Sequence, residues 1–255
     1  MLLVLDVGNT QTVIGLFDDR RLAAHWRMHT EPRLTEDEFH MHLSHFLKPH
    51  GLDMAAISQT VISCVVPPMV RTLEAFCRKY FGHAPDWIGP GSVDMPILYR
   101  NPGEVGADRL VNAVAAFTKY RTSLVVIDFG TATTFDCISE NGEYLGGAIS
   151  PGIGISAEAL FQRASKLPRV ELFNPPDSVI GKETADSMKS GLLYGYTEMV
   201  DGMVRRIKKE MHPEPTVVAT VGLASMIGEL SGTIEAVEPE LTLEGLRIVS
   251  RNTRS

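Results

Sequence analysis

A chain of 255 residues is long enough for one large domain or two of moderate size, and 44% apolar with 22% charged residues is ordinary for a soluble globular protein. A net charge of −7 argues against a general nucleic-acid binder but allows small phosphate ligands held by backbone N–H groups. No apolar stretch approaches the roughly 18 residues of a membrane span, and Met1-Leu2-Leu3-Val4-Leu5 lacks basic residues before it and meets Asp6 too soon for a secretory leader, so a cytoplasmic protein is expected.

In chain order, Leu2 to Leu5 is an apolar run that stops at Asp6 and turns through Val7-Gly8-Asn9-Thr10 into a second strand-like stretch, Thr12 to Phe17. Arg21 to Met28 reads as a third strand after the Asp18-Asp19 turn. Thr35-Glu36-Asp37-Glu38 has capping-box spacing, and Phe39, Leu43, Phe46 and Leu47 share one face, which predicts a helix over Thr35 to Leu47. The β-branched run Thr60 to Val66 predicts a strand stopped by Pro67-Pro68. Met69 to Tyr80 then reads as a helix, Asp86 to Ile88 as a short strand, and Gly89 to Gly103 as loop, with Pro90, Pro96 and Pro102.

The next predicted helix runs from about Ala107 to Tyr120. Leu124 to Ile127 repeats the opening pattern: an apolar run stops at Asp128 and turns through Phe129-Gly130-Thr131-Ala132 into a strand-like stretch, Thr133 to Ser139. Glu143 to Ile149 is a third strand after the Asn141-Gly142 turn. Pro151-Gly152 opens a helix through about Gln162, and Leu167 to Gly181, with three prolines, reads as a substrate-facing loop. A long helix from about Glu183 to Met211, a strand Thr216 to Val221, a helix Ser225 to Leu230, a strand Ile234 to Ala236 and a helix Leu241 to Ser250 finish the chain. A strand–acid–glycine hairpin used twice implies two related halves that grip a nucleoside triphosphate from both sides. The expected lobes are residues 1–104 and 105–255.

Asp6 and Asp128 fall at the carboxyl ends of buried strands, where open α/β folds place ligands. Gly8 and Gly130 let N–H groups approach an anion without Cβ interference. Asn9, Thr10, Thr131, Thr133 and Thr134 add short donors for phosphate oxygens. A carboxylate beside a triphosphate needs a cation to bridge the like charges. Gly106-Ala107-Asp108-Arg109 opens a helix; Asp108 reads either as a cap that offsets the helix dipole or as a base beside an oxyanion clamp. Gly146 to Gly152 ends a strand and opens a helix, either for close backbone approach to a ligand or for tight chain packing. Cys64 and Cys137 read as buried thiols, and His40, His42, His45 and His50 as surface polar residues.

Together Asp6 to Thr10, Glu104 to Asn112, Asp128 to Thr134 and Gly146 to Gly152 resemble the type III pantothenate kinases of the acetate kinase–sugar kinase–Hsp70–actin superfamily, from residue 2 to about residue 252. The resemblance implies two ribonuclease H-like (actin-like ATPase) lobes with mixed sheets flanked by helices and a cleft between them. It implies a homodimer and γ-phosphate transfer from ATP to pantothenate, while the acidic charge and the lack of a membrane-length apolar run set the expectation of no nucleic-acid or membrane partner. Asp108 would be the general base. Asp6, Val7, Gly8, Asn9, Thr10, Gln11, Thr12 and Val13 would form the first phosphate loop, with Thr131 on ATP phosphates. Tyr99, Gly106, Ala107, Asp108, Arg109 and Thr184 would hold pantothenate. Asp128 would bind a monovalent cation, K⁺ or NH₄⁺, alongside Mg²⁺ with ATP. The family usually has Gly-Gly where this chain has Val221-Gly222, which implies weaker nucleotide binding or altered base preference. The competing readings are another phosphotransferase or phosphatase of the superfamily, and a non-catalytic regulator on the same fold.

Overall fold

A run of apolar side chains on both faces suits a strand covered on both sides, and Leu2–Val7, apolar but for Asp6, forms that strand, β1, at the centre of a five-stranded sheet. The structure, a computed structural model, describes residues 1–251; residues 252–255 of the expected second lobe lie outside the described residues. Gln11–Asp18 (β2) and Arg21–His29 (β3) continue from β1 as an antiparallel meander. The chain then crosses over through α1 (Glu36–Leu47) to Gln59–Cys64 (β4), which lies parallel to β1. A second helix, α2 (Pro67–Tyr80), leads to β5 (Asp86–Trp87), giving the order β3-β2-β1-β4-β5.

The same order is built again. After α3 (Ala107–Tyr120), strands β6 (Leu124–Phe129), β7 (Ala132–Ile138) and β8 (Tyr144–Pro151) form an antiparallel meander. Helices α4 (Ile153–Arg163) and α5 (Thr184–Ile207) cover this sheet before β9 (Thr216–Thr220) adds parallel to β6. Helix α6 (Ala224–Leu230), strand β10 (Ala236–Val237) and helix α7 (Leu241–Val249) complete the chain. The second sheet, β10-β9-β6-β7-β8, is the first one repeated in topology.

Two compact units result: Met1–Ala115 with the segment from Leu241 onward, and Ala116–Glu240. This division differs from a boundary between residues 104 and 105. The first turns of α3 and the whole of α7 belong to the first unit because Val4, Phe17, Val61, Ala107, Val111, Leu243, Leu246 and Val249 share one apolar cluster. The other face of the first sheet is closed by α1 and α2, through Phe39, Leu43, Leu73 and Phe76. In the second unit α5 supplies Leu193, Tyr196, Val200 and Val204 to the core beneath β6, β7 and β9.

Local signals acted largely as expected. Thr35 caps α1, accepting from the Glu38 N–H while Glu38 reaches back to the Thr35 N–H at 2.9 Å. Pro67 and Pro68 do not merely stop β4; they occupy the first turn of α2, where a missing N–H costs no helix bond. The last strand is β10 at Ala236–Val237, two residues later than its predicted start, because its register is set by pairing with Val218 and Ala219. Cys137 is buried as expected, whereas Cys64, at the very end of β4, is only half-buried. No helix among the described residues is long and apolar enough to cross a membrane.

Helix α7 reaches its place only because Gly245 has no side chain: a Cβ there would lie 2.1 Å from the Val111 carbonyl oxygen. Gly245→Ala is expected to lower stability by about 2 kcal/mol, read as a reduced urea midpoint with an unchanged slope. Wild-type stability in that variant would mean that α7 is not seated on α3 as described.

Candidate active site

In the first unit β1 delivers Asp6 to the carboxyl end of the sheet, half-buried, between Val13 of β2 and Ser63 of β4. The chain must reverse at once, and it does so at Gly8, whose N–H donates to the Gln11 carbonyl at 3.0 Å. Asn9, Thr10 and Gln11 stand exposed on this turn. Thr12 is buried, Val7 lies in the core, and Val13 packs beside the α7 cluster, so these three can serve a ligand only through their backbone. A residue the sequence did not single out, Thr30 at the end of β3, braces the turn: its hydroxyl donates to the Gly8 carbonyl at 2.7 Å and lies 2.9 Å from the Thr12 hydroxyl.

Asp108 enters the same unit from the first turn of α3, half-buried. Its carboxylate accepts the Arg109 N–H at 2.9 Å. Glycine at 106 leaves room for the Asp108 carboxylate, since a Cβ there would meet Asp108 Oδ1 at 2.5 Å unless that side chain moved. Ala107 belongs to the core, while Arg109 is a buried guanidinium at 8% exposure. Burial raises the Asp108 pKa above its ordinary value, and the Arg109 N–H and charge partly restrain it. Asp6 is pushed up to about 7, first by burial and then by the negative charge of Asp108, with Ser63 pulling the other way. A strand-end carboxylate raised by burial and by a neighbouring carboxylate is a functional-site candidate. Tyr99 lies half-buried in the loop before α3.

In the second unit Asp128 occupies the matching place at the end of β6, between Thr134 of β7 and Thr220 of β9. Here two glycines fix the turn that follows. A Cβ on Gly152 would lie 2.4 Å from the Thr131 carbonyl oxygen and 2.6 Å from that of Gly130, and one on Gly222 would lie 2.2 Å from the Phe129 carbonyl oxygen. The Gly152 N–H donates to Thr131 O at 3.1 Å. The Thr131 side chain is thereby left exposed at the tip. Thr133 turns inward instead and bonds to the Tyr196 hydroxyl. Of the glycines in the Gly146 to Gly152 stretch, Gly147 serves close packing, since its Cβ would fall 1.7 Å from Phe135 O. Thr184 is exposed at the first position of α5, beyond the proline-containing loop.

Val221, read from sequence as a departure, is strained: it holds φ at +61° and the next residue, Gly222, follows at +52°. A β-branched residue in the left-handed region is a true outlier.

Two ribonuclease H-like lobes, each ending its first strand in a carboxylate and a glycine turn, define the actin-like ATPase class. Solved structures share this fold: the activator of the 2-hydroxyisocaproyl-CoA dehydratase from Clostridium difficile with bound ADPNP aligns with a TM-score of 0.59 at 13% identity, over 99% of this chain and 96% of that one. Component A of the (R)-2-hydroxyglutaryl-CoA dehydratase from Acidaminococcus fermentans aligns at 0.57 and 14%, over 99% and 98%. Sequence narrows the class. Residues 2–206 match the type III pantothenate kinase family. The chain is 60% identical over 250 residues to the type III pantothenate kinase of Desulfatibacillum aliphaticivorans, covering 98% of this chain and 97% of that one. It is 58% identical over 252 residues to the one from Desulforapulum autotrophicum, covering 98% and 96%. The chain belongs to the type III pantothenate kinase family.

Replacing Val221 with glycine removes a left-handed β-branched residue, so Val221→Gly is expected to raise stability by about 1 kcal/mol and to lower the apparent KM for ATP. A thermal midpoint and a KM both equal to wild type would mean that neither the strain nor the side chain bears on the nucleotide turn.

Proposed function

We propose that this protein transfers the γ-phosphoryl group of ATP to the hydroxyl of pantothenate, giving 4'-phosphopantothenate, the first step of coenzyme A biosynthesis in the cytoplasm. The observation that carries this reading is the Asp108 carboxylate, folded back over Gly106 at the start of α3 with the Arg109 N–H and charge beside it. Phosphoryl transfer asks a protein mainly for positioning and for neutralisation of charge. Asp108 Oδ takes the proton of the attacking hydroxyl. That step comes late in a loose transition state, so an ordinary carboxylate would serve, and the upward shift that burial gives Asp108 makes it a better base.

The other roles follow the same division. Residues 6–13 approach the ATP phosphates with the N–H groups of the Gly8 turn and the exposed side chains of Asn9, Thr10 and Gln11. Thr131 offers its exposed hydroxyl to ATP phosphates. Tyr99, Gly106, Ala107, Arg109 and Thr184 hold pantothenate, Ala107 through its backbone alone.

Asp128 holds K⁺ or NH₄⁺. Its carboxylate offers oxygen donors, which fit a hard cation and not a soft one. Such a cation, with the Mg²⁺ that accompanies ATP, supplies positive charge to the phosphates.

The active form is a homodimer. The second lobe exposes Ile149 at 65%, Phe173 at 72%, Val179 at 67% and Ile180 at 71%, more large apolar side chains than a lone surface needs, and a second copy of the chain would cover them.

Asp108→Asn is expected to keep the fold and ATP affinity and to cut turnover by at least about 10²-fold, measured by calorimetric ATP binding beside steady-state kinetics. Near-normal turnover would remove Asp108 from the role of base.

A further inference from the structure

Because the two sheets share one strand order, equivalent positions in the two lobes can be compared directly. Asp6 on β1 is paired with Ser63 on the parallel strand β4, and Asp128 on β6 with Thr220 on the parallel strand β9. Paired residues on neighbouring strands project from the same face of the sheet. Each strand-end carboxylate therefore has a hydroxyl residue beside it. The two hydroxyls differ in one respect. Thr220 Oγ1 donates to the Glu238 carbonyl at 2.7 Å, whereas the Ser63 hydroxyl, fully buried, has no hydrogen-bond partner among the described residues.

An unsatisfied buried hydroxyl is costly and uncommon, and it is retained where it has a task in another state of the site. Ser63 is close enough to Asp6 to lower its pKa, although no bond of normal geometry joins them. The remaining groups that act on Asp6 push in the opposite direction: its burial, and Asp108 on α3. Arg109 acts on Asp108, and Cys64, next to Ser63 on β4, has its own thiol raised by burial and by the charge of Asp6.

We propose that Ser63 is the positioning residue for Asp6: its Oγ–H turns onto the ionised carboxylate and fixes the orientation in which Asp6 faces the nucleotide phosphates. The role rests on the phosphoryl-transfer reading given above. In the second lobe the equivalent hydroxyl, that of Thr220, is committed to the backbone carbonyl of Glu238.

The test is a carbon-13 NMR titration of aspartate carboxyls in the full-length protein, with the Asp6 signal assigned by its loss in Asp6→Asn. Ser63→Ala is expected to raise the Asp6 midpoint by about one pH unit, because a donor to a charged group is lost. The acid limb of kcat/KM for ATP moves up by the same amount, so activity at neutral pH falls about fivefold. Ser63→Thr, which installs the residue the second lobe uses, returns both towards wild type. If Ser63→Ala does not fold, Ser63→Cys, of similar volume and poorer donor strength, is read by the same criterion. An unmoved Asp6 midpoint in a folded variant overturns the proposal. A moved midpoint in a protein whose wild type fails to phosphorylate pantothenate upholds the Ser63–Asp6 pairing and overturns the functional reading instead.

Discussion

Burying a carboxylate at the end of a central strand is the constraint around which the first lobe is arranged. Strand β1 is apolar on both faces up to Asp6, so the charge arrives in surroundings that disfavour it, and Asp108 makes matters worse. A fold optimised for stability alone would place an amide or an apolar residue there. Keeping two mutually repelling carboxylates in one lobe makes sense where positive charge arrives with a ligand. That is the situation at a magnesium-bound triphosphate, and it is why the electrostatics of Asp6 and Asp108 speak to function before any relative is consulted.

Around these carboxylates the protein invests in backbone precision. Thr30 holds the carbonyl of Gly8, and Gly152 and Gly222 press their bare Cα atoms on the carbonyls of the turn after Asp128. None of these residues offers charge. Each fixes a turn that carries exposed polar residues, Asn9, Thr10 and Gln11 in one and Thr131 in the other, and preorganised donors contribute most when they need not move during reaction. The strain at Val221 belongs to the same region, since it sets up the left-handed backbone by which Gly222 reaches Phe129.

Much of this was legible in the amino-acid order. The repeated strand–acid–glycine pattern announced both sheets and both carboxylates, because a buried strand needs a continuous apolar run and a reversal needs glycine. The capping box at Thr35 and Glu38 formed as written. What sequence reading missed is non-local. Helix α7 returns to the first lobe because Gly245 fits against Val111, a pairing over more than a hundred residues that no window reveals. Thr30 carries no local sign of its task, since only the β2–β3 register brings it to Gly8. Ser63 looks like an ordinary polar residue in a strand until the pairing with Asp6 and the absence of a bond are both known. His40, expected with its neighbours to be a surface polar residue, stacks on Tyr80 with ring centres 3.9 Å apart, again a matter of which helices meet.

The account is tested most directly by following ADP formation with purified protein, Mg²⁺ and ATP, with and without pantothenate, and in the presence and absence of K⁺. It predicts that ADP forms only when pantothenate is present and that turnover collapses when K⁺ and NH₄⁺ are withheld. ADP formation that ignores pantothenate, or no turnover at all with every component supplied, would contradict it.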